Sequence, residues 1–170
     1  MTAAERREEI LMRLGSCNAP VSASVLAEEL GVSRQIIVGD VALLRAGGAE
    51  ITATPHGYTL AGKREDGLLR RTVACVHDAS GTEQELNIMV DNGCTVVDVI
   101  VEHPVYGQLT GALALQNRYD VRCFLDRSAE AAPLSSLTDG IHLHTLLCPD
   151  AESFARVRRE LDAAGFLLPE

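Results

Sequence analysis

The sequence of 170 residues has no apolar run of about 20 residues, the length that a membrane-spanning helix needs. Its N-terminal segment mixes acidic and basic side chains and has no apolar core, so it does not resemble a secretory signal. There is no internal repeat and no low-complexity segment. With 46% hydrophobic and 23% charged residues, the composition is that of an ordinary globular protein, which we expect in the cytoplasm and not at a membrane.

The number and spacing of the cysteines do not fit a disulfide framework or a zinc knuckle. There are five cysteines, an odd number, and no pair has the C-x-x-C spacing. This argues against a disulfide framework and against a zinc knuckle. Cys75, Cys123 and Cys148 lie in apolar strand-like or helical runs, where a reduced cysteine usually behaves as a small buried hydrophobic residue.

A positive net charge, which favours binding to phosphates, is also missing. The formal net charge is −9, and acidic residues outnumber basic ones both before and after Gly62. Charge therefore does not by itself predict a nucleic-acid partner. Any DNA binding must depend on a few well-placed side chains.

The segment 27–47 nevertheless has the pattern of a helix-turn-helix. A first helix is predicted to end at Gly31, since glycine adopts the left-handed conformation that closes a helix. Ser33 can then cap the second helix by accepting a backbone N–H. Ala27 is a small residue where the two helices must cross closely. Helix pairs with a tight glycine turn also occur in bundles that bind no DNA, so this pattern leaves both interpretations open.

The second helix has an apolar stripe with helical spacing and a polar beginning. In a helix-turn-helix, the N-terminal turns of this helix enter the major groove. Arg34 and Gln35 lie there, outside the stripe, and can reach base edges and phosphates. Gly39 in the middle of the helix costs about 1 kcal/mol relative to alanine and offers no base contact. The predicted DNA-contacting residues are Ser33, Arg34, Gln35, Arg45 and His56.

Flanking elements complete a winged helix. A helix over 3–15 precedes the pair, and Ser22 is expected to cap the helix that ends at Leu30. Two β-prone runs, 51–54 and 58–60, flank a Pro/Gly turn and predict a hairpin. This hairpin would be the wing, with His56 at its tip either touching DNA or simply exposed.

The composition changes at residues 61–67, a polar segment bounded by glycine, and we place a domain boundary there. The predicted domains are residues 1–62, a winged helix-turn-helix, and residues 68–170, an α+β domain. In the second domain the patterns predict strand, helix, strand, strand, helix, strand and helix, on a mostly antiparallel sheet. The segments are 69–77, 82–91, 96–102, 106–113, 117–125, 141–147 and 150–164, with a loop over 133–140. The last helix could either cover the sheet or form a dimer interface.

Histidine is concentrated in this second domain. His142 and His144 alternate in a predicted strand, so both imidazoles project from one face and could share a divalent metal ion. His77 ends another strand, and Glu83 or Glu85 could add a carboxylate. Three histidines and one carboxylate suit Zn²⁺, Ni²⁺ or Fe²⁺. A histidine pair with this spacing also arises by chance on a solvated strand face.

Four blocks of sequence, in this order, are similar to those of a known family. They are SRQIIVGD with LLR (33–40 and 43–45), ITATPHGY (51–58), EHPVYG (102–107) and GIHLHT (140–145). Together they resemble the niacin-responsive transcription repressors of bacteria, which join a winged helix to a three-histidine (3H) domain. The resemblance covers nearly the whole chain.

The resemblance implies a homodimeric repressor of niacin-uptake or NAD-synthesis genes that binds operator DNA, with nicotinic acid as co-repressor and no catalytic residues. It also implies a nickel-like or zinc-like ion held by His77, Glu85, His142 and His144, with Glu83 as the alternative carboxylate. The block around His103 would lie near the effector pocket, and we place His103, Tyr106 and Gly107 there. The alternatives are a metal-dependent enzyme, or a repressor that responds to another small carboxylate or to the metal itself.

Overall fold

The computed structural model describes residues 1–60 and 67–169. The chain divides into two compact units, Met1–Arg64 and Glu65–Glu170. The predicted domain boundary falls mainly on residues 61–66, which lie outside the described part, so its position stays a prediction. Within the described ranges, no helix has the length and apolar character needed to cross a membrane.

The N-terminal unit consists of three helices followed by a two-stranded antiparallel hairpin. They are α1 (Ala3–Ser16), α2 (Ala23–Leu30), α3 (Arg34–Ala46), β1 (Ile51–Thr54) and β2 (Gly57–Leu60). Thr2, Ser22 and Ser33 cap the three helices, each accepting a backbone N–H from the residue three positions later. The predicted winged helix-turn-helix is therefore observed, and both serine caps are confirmed.

The turn between α2 and α3 depends on Gly31. This residue has φ +64°, and its N–H donates to the carbonyls of Ala27 and Glu28. Ala27 is buried between the helices, as its small size predicted. The core of this unit consists of Ile10, Leu14, Ala23, Leu26, Ala27, Leu30, Ile37, Val41 and Ile51.

The wing makes a contact that the sequence did not predict. Tyr58 and Val21 exchange two backbone hydrogen bonds of 2.8 and 2.9 Å, so the loop before α2 joins the hairpin through a single antiparallel bridge. Gly57 makes this possible, because its φ is +137° and an added Cβ would lie 2.4 Å from the Val21 backbone. The wing is thus tied directly to the helix-turn-helix.

The second unit is an α+β fold on one four-stranded sheet. Its elements are β3 (Leu69–Val76), α4 (Thr82–Asp91), β4 (Thr95–His103), β5 (Gly107–Leu115), α5 (Arg118–Ser128), β6 (Ile141–Cys148) and α6 (Ala151–Ala163). The strand order is β3-β6-β4-β5, and every neighbouring pair is antiparallel. The predicted order of elements is confirmed. The predicted loop over 133–140 differs only in containing a short 3₁₀ helix, Leu134–Thr138.

Helix α6 covers the sheet. Val157 and Leu161 are fully buried, in one core with Val73 of β3 and Leu146 of β6. Of the two roles that the sequence left open for this helix, the structure therefore places its apolar side in the core.

Burial of the cysteines follows the prediction with one correction. Cys75 and Cys148 are buried, and so is Cys94, whose Sγ lies 2.7 Å from that of Cys148. Cys123 is only half-buried. Helix α5 fully buries Val121 alone, and a residue two positions further along a helix points well away from that side.

Candidate metal centre and DNA-contacting helix

Three imidazoles surround the carboxylate of Glu85 in the second unit. Nε2 of His77 lies 2.7 Å from Oε2, and Nε2 of His142 lies 2.8 Å from Oε1. Nε2 of His144 is 3.4 Å from Oε2. The Glu85 side chain is 1% exposed and those of His77, His142 and His144 are 6%, 2% and 3% exposed. The four predicted metal ligands therefore form one buried cluster.

Local structure explains why these side chains meet. His142 and His144 are two residues apart in β6, so they share a face of the sheet. His77 comes directly after β3, the strand that pairs with β6. Glu85 is on the buried side of α4, whereas Glu83 of the same helix is exposed. Two residues on a helix point about 200° apart, so only one of these carboxylates can face the histidines.

Each of the three histidines is oriented by a backbone carbonyl that accepts from its Nδ1. The acceptors are the carbonyls of Asp78 for His77 (2.6 Å), Gly140 for His142 (2.8 Å) and Asp98 for His144 (2.7 Å). A carbonyl can only accept, so Nδ1 must carry the hydrogen in all three rings. In neutral imidazole this leaves the lone pair on Nε2, the tautomer that binds a metal through Nε2.

The Asp98 carbonyl is available because the ladder between β4 and β6 is irregular there. The register between these strands shifts between Val96 and Ile100. A bulge of this kind leaves a residue outside the regular pairing. Asp98 makes two contacts with β6 at this point. Its backbone carbonyl accepts from Nδ1 of His144, and its carboxylate accepts from the N–H of Thr145 at 3.0 Å.

Two of the Nε2 atoms have no hydrogen-bond partner. Those of His77 and His144 are buried and lie close to Glu85, but not in hydrogen-bond geometry. Buried polar atoms without partners are rare in proteins and require an explanation such as a bound ion. Imidazole nitrogens and a carboxylate oxygen are the donors that Zn²⁺, Ni²⁺ and Fe²⁺ prefer. The residues present therefore fit a divalent transition metal.

The cluster also shifts the protonation equilibria of its members. Burial by itself would raise the pKa of Glu85, but the charge of His144 and contacts with the other imidazoles hold it well below its usual range. Burial by itself would lower the pKa of His77 and His144, but Glu85 outweighs burial and raises both. Without a metal, the cluster therefore favours an ionised Glu85 and the protonated forms of His77 and His144.

Two glycines close the cluster around His77. An added Cβ at Gly140, whose φ is +86°, would lie 2.3 Å from the His77 carbonyl oxygen. An added Cβ at Gly81 would lie 2.9 Å from His77 Nδ1 and 3.0 Å from the ring of Phe166. The Phe166 ring itself packs on His77 with centroids 4.9 Å apart. None of the three was predicted as a site residue, although Gly140 begins the GIHLHT block.

The predicted DNA-contacting residues of α3 lie on the surface of the N-terminal unit. Arg34, Gln35 and Arg45 are exposed, while the Ser33 hydroxyl accepts the Ile36 N–H as the helix cap. His56 is half-buried in the wing turn, and its buried Nε2 has no hydrogen-bond partner among the residues that the structure describes. His56 is therefore less accessible than a residue at a free hairpin tip.

One exposed side of α3 carries small residues after the first turn. By helical periodicity, Gly39, Ala42 and Ala46 follow Gln35 along one side, and all four are exposed. An added Cβ at Gly39 would meet nothing within 4 Å. This side of the helix leaves room for close approach by another molecule.

The opposite side of α3 is tied to α1 by a buried ion pair that the sequence did not predict. Asp40 Oδ2 accepts from Arg6 Nε at 2.5 Å, and Oδ1 accepts from Arg7 Nη1 at 3.4 Å. The Asp40 side chain is 5% exposed. These two arginines therefore hold the recognition helix in place.

The predicted effector residues form the turn between β4 and β5. Nδ1 of His103 accepts the backbone N–H groups of Val105 and Tyr106, at 3.1 and 3.2 Å. The rings of His103 and Tyr106 pack with centroids 5.0 Å apart, although Tyr106 is 74% exposed. Gly107 has φ +71°, which the turn requires. These contacts give the three residues a structural role in the turn.

Comparison with known proteins agrees with the two units. Residues 6–59 match the model of an HTH domain, and residues 70–170 match that of the 3H domain. The chain is 45% identical, over 168 residues, to the probable transcription repressor NiaR of Thermotoga maritima, covering 98% of this chain and 95% of that protein. It is 42% identical, over 171 residues, to the transcription repressor NadR of Bacillus subtilis, with the same coverage of 98% and 95%. The chain therefore belongs to the family of transcription repressors in which an HTH domain is followed by a 3H domain.

Proposed function

We propose that this chain represses genes for niacin uptake or NAD synthesis, with nicotinic acid as co-repressor. It would act in the cytoplasm as a homodimer on operator DNA. The membership in a repressor family and the resemblance of four sequence blocks support this proposal. The observation that carries the sensing part is the convergence of three imidazole Nε2 atoms on the buried carboxylate of Glu85.

The DNA-binding surface begins at the N-terminus of α3. Arg34 and Gln35 are exposed in its first turn, where a recognition helix contacts base edges. Ser33 lies beside them, and the exposed Arg45 contacts the phosphate backbone. His56 remains a predicted DNA contact of the wing, although its side chain is half-buried. Because neither unit carries an excess of basic residues, these few contacts supply most of the attraction to DNA.

The sensor contains a divalent transition metal, nickel or zinc, held by His77, Glu85, His142 and His144. When bound, such an ion supplies a positive charge and an open position to which the carboxylate of nicotinic acid can bind. The carbonyls of Asp78, Gly140 and Asp98 keep the imidazoles in the orientation that presents Nε2. We predict that nicotinic acid also contacts His103, Tyr106 and Gly107.

Nicotinic acid would control DNA binding through the arrangement of the two chains in the dimer. Operator half-sites lie about one helical turn apart, so DNA selects a dimer whose two recognition helices have that spacing. Nicotinic acid increases the population of that arrangement by binding it more tightly than the alternatives. The resulting gain in DNA affinity equals the difference in effector affinity between the two arrangements.

The test is a binding titration of the full chain with promoter DNA from niacin-uptake or NAD-synthesis genes. Nicotinic acid, nicotinamide and no effector are compared, each with and without a chelator. We expect tight binding only with nicotinic acid, and a loss of that response when the metal is removed. Binding that does not respond to nicotinic acid would reject the effector, and no binding to any of these promoters would reject the target genes.

Two neighbouring glutamates provide a matched pair of variants. Glu85→Gln removes the buried carboxylate charge with little change in shape, whereas Glu83→Gln changes an exposed residue on the same helix. We expect the first to lose bound metal and the nicotinic acid response, and the second to retain both. Equal metal content in the two variants, measured by elemental analysis, would contradict the proposed site.

A further inference from the structure

Cys75 faces the histidine cluster from the strand beside it. In the antiparallel register of β3 and β6, Cys75 is directly opposite His142, and Val73 is opposite His144. Directly opposed residues project from the same face of a sheet, with Cβ atoms about 5 Å apart. Cys75 is fully buried, so its thiol lies inside the same enclosed space as the imidazoles.

The thiol is close enough to Glu85 and His142 for a single ion to contact all three side chains. One donor atom each from Cys75, Glu85 and His142 lies within 4.8 Å of the other two. In tetrahedral coordination, with bonds of 2.0 to 2.3 Å, two ligand atoms are separated by about 3.3 to 3.7 Å. Movement of the side chains by up to about 1 Å brings the three atoms to that spacing.

An independent feature of the cluster indicates a cation rather than a closed network of hydrogen bonds. The buried Nε2 atoms of His77 and His144 lie 2.7 and 3.4 Å from Oε2 of Glu85, yet neither has a hydrogen-bond partner among the described residues. The Cys75 Sγ lies within 4.8 Å of the carboxylate of Glu85 that these imidazoles approach. A cation among these atoms would satisfy the nitrogens and the carboxylate together, and the sulfur is positioned to join them.

We infer that Cys75 is a sulfur ligand of the metal in this chain, in addition to the imidazoles and Glu85. The inference rests on the metal site proposed above and extends it to a mixed nitrogen, oxygen and sulfur donor set. When the metal–sulfur bond forms, the S–H bond breaks and its proton leaves to solvent. A thiolate ligand favours softer ions such as Zn²⁺, Co²⁺ and Ni²⁺ over Mg²⁺, Ca²⁺ and Mn²⁺.

The alternative is a thiol that remains protonated and only donates a hydrogen bond to Glu85. Both arrangements bury Cys75, so stability alone does not separate them. A direct metal–sulfur bond does, because it produces a thiolate-to-metal charge-transfer absorption and a sulfur shell at about 2.3 Å in X-ray absorption spectra.

The experiment uses the full chain loaded with one equivalent of Co²⁺, or of Ni²⁺ for X-ray absorption. The variants are Cys75→Ser and, as control, Cys123→Ser, which changes a half-buried cysteine on α5. We expect a charge-transfer band and a sulfur shell in the unmodified chain and in Cys123→Ser. Cys75→Ser should lose both and bind Co²⁺ at least about tenfold more weakly.

The outcomes separate the two proposals. One bound equivalent without a sulfur shell overturns the role of Cys75 and leaves the four-ligand site intact. A band that persists in Cys75→Ser overturns it as well. If the unmodified chain takes up no metal, the proposed site fails and the role of Cys75 fails with it. The spectrum of the unmodified chain decides the question even if the serine variant does not fold.

Discussion

Nε2 of His142 lies 2.8 Å from Oε1 of Glu85, and the two residues are 57 positions apart in the chain. This contact joins β6 to α4 in the interior of the second unit. Nδ1 of His142 donates to the Gly140 carbonyl, so Nε2 must be either protonated or bound to a cation when it meets the carboxylate. The stability of this unit therefore depends on whether protons or a metal occupy the cluster.

Without metal, stability should decrease as the pH rises above the ordinary range of histidine. The pKa of His77 and His144 is raised above 6.5, so their contribution is complete below pH 6.5 and is lost as the pH rises through the folded pKa. The pKa of Glu85 is lowered from 4.5, so its contribution is complete above that value and is lost only in stronger acid. We expect maximal stability near pH 5 to 6 and a progressive loss toward pH 8. Urea unfolding in the presence of a chelator would measure this, and stability that rises between pH 6 and 8 would contradict it.

With metal, the dependence on pH should be reversed. A metal binds only neutral imidazole, so protons compete with it below the histidine pKa. We expect the rise in melting temperature caused by Ni²⁺ or Zn²⁺ to be small at pH 5.5 and to increase toward pH 8. Thermal melts with and without the ion, repeated on Glu85→Gln, would test this. A rise in melting temperature that is equal at both pH values would indicate binding elsewhere.

Gly140→Ala should disrupt the cluster more than a comparable change at Gly165. Both glycines have a left-handed φ, +86° and +76°, but only at Gly140 would an added Cβ meet an atom, the His77 carbonyl oxygen at 2.3 Å. We expect about 1 kcal/mol of destabilisation from the left-handed φ at either site. Gly140→Ala should cost at least about 2 kcal/mol more and should weaken metal binding. Unfolding curves of both variants would measure the difference in the free energy of unfolding. Similar losses of stability would show that the backbone at His77 shifts at little cost.

Gly39→Ala should stabilise the N-terminal unit and weaken DNA binding. Both Gly39 in α3 and Gly15 in α1 are helical glycines at which an added Cβ meets nothing within 4 Å. Alanine at either position should increase stability by up to about 1 kcal/mol because it restricts the unfolded chain. Only Gly39 lies on the exposed side of the recognition helix, so only that change should lower operator affinity. Equal affinity in the two variants would show that DNA does not approach Gly39 closely.

Arg6→Ala should destabilise the N-terminal unit strongly. It removes the 2.5 Å partner of the buried Asp40 and leaves only Arg7, whose Nη1 is 3.4 Å from the carboxylate, so we expect a cost of about 2 to 4 kcal/mol. Arg13→Ala on the same helix is the control, since its contacts with Glu9 and Glu29 are solvent-accessible and should cost less than about 1 kcal/mol. Urea unfolding of both variants would compare these values. Recovery of stability in the double variant with Asp40→Ala would assign the loss to the unpaired carboxylate.

Much of the fold could be predicted because it is encoded by neighbours along the chain. Ser22, Gly31 and Ser33 act on residues within four positions, and the structure has each in its predicted role. The alternation of His142 and His144 in a strand placed both rings on one face. Local signals of this kind require no knowledge of which elements pack together.

Other contacts were not predictable, because they join residues that are distant in sequence. The local pattern around each of these residues does not indicate its partner. Asp40 and Arg6 are ordinary charged residues in helices, and nothing near them indicates that they meet. Val21 lies in a loop, and its pairing with Tyr58 depends on how the wing folds back. Cys75 was predicted to behave as a buried hydrophobic residue, and it is buried. That prediction did not include its position opposite His142.

The sequence by itself determined the order of helices and strands, the caps that begin the helices, and the face on which the paired histidines lie. These features follow from the periods of helix and strand and from residue conformation. Only the tertiary structure decided that Glu85 rather than Glu83 faces the imidazoles, and that Cys75 stands opposite His142. The physical reason is that the rotation of α4 over the sheet and the register of β3 against β6 are set by packing of the whole core, which no local pattern contains.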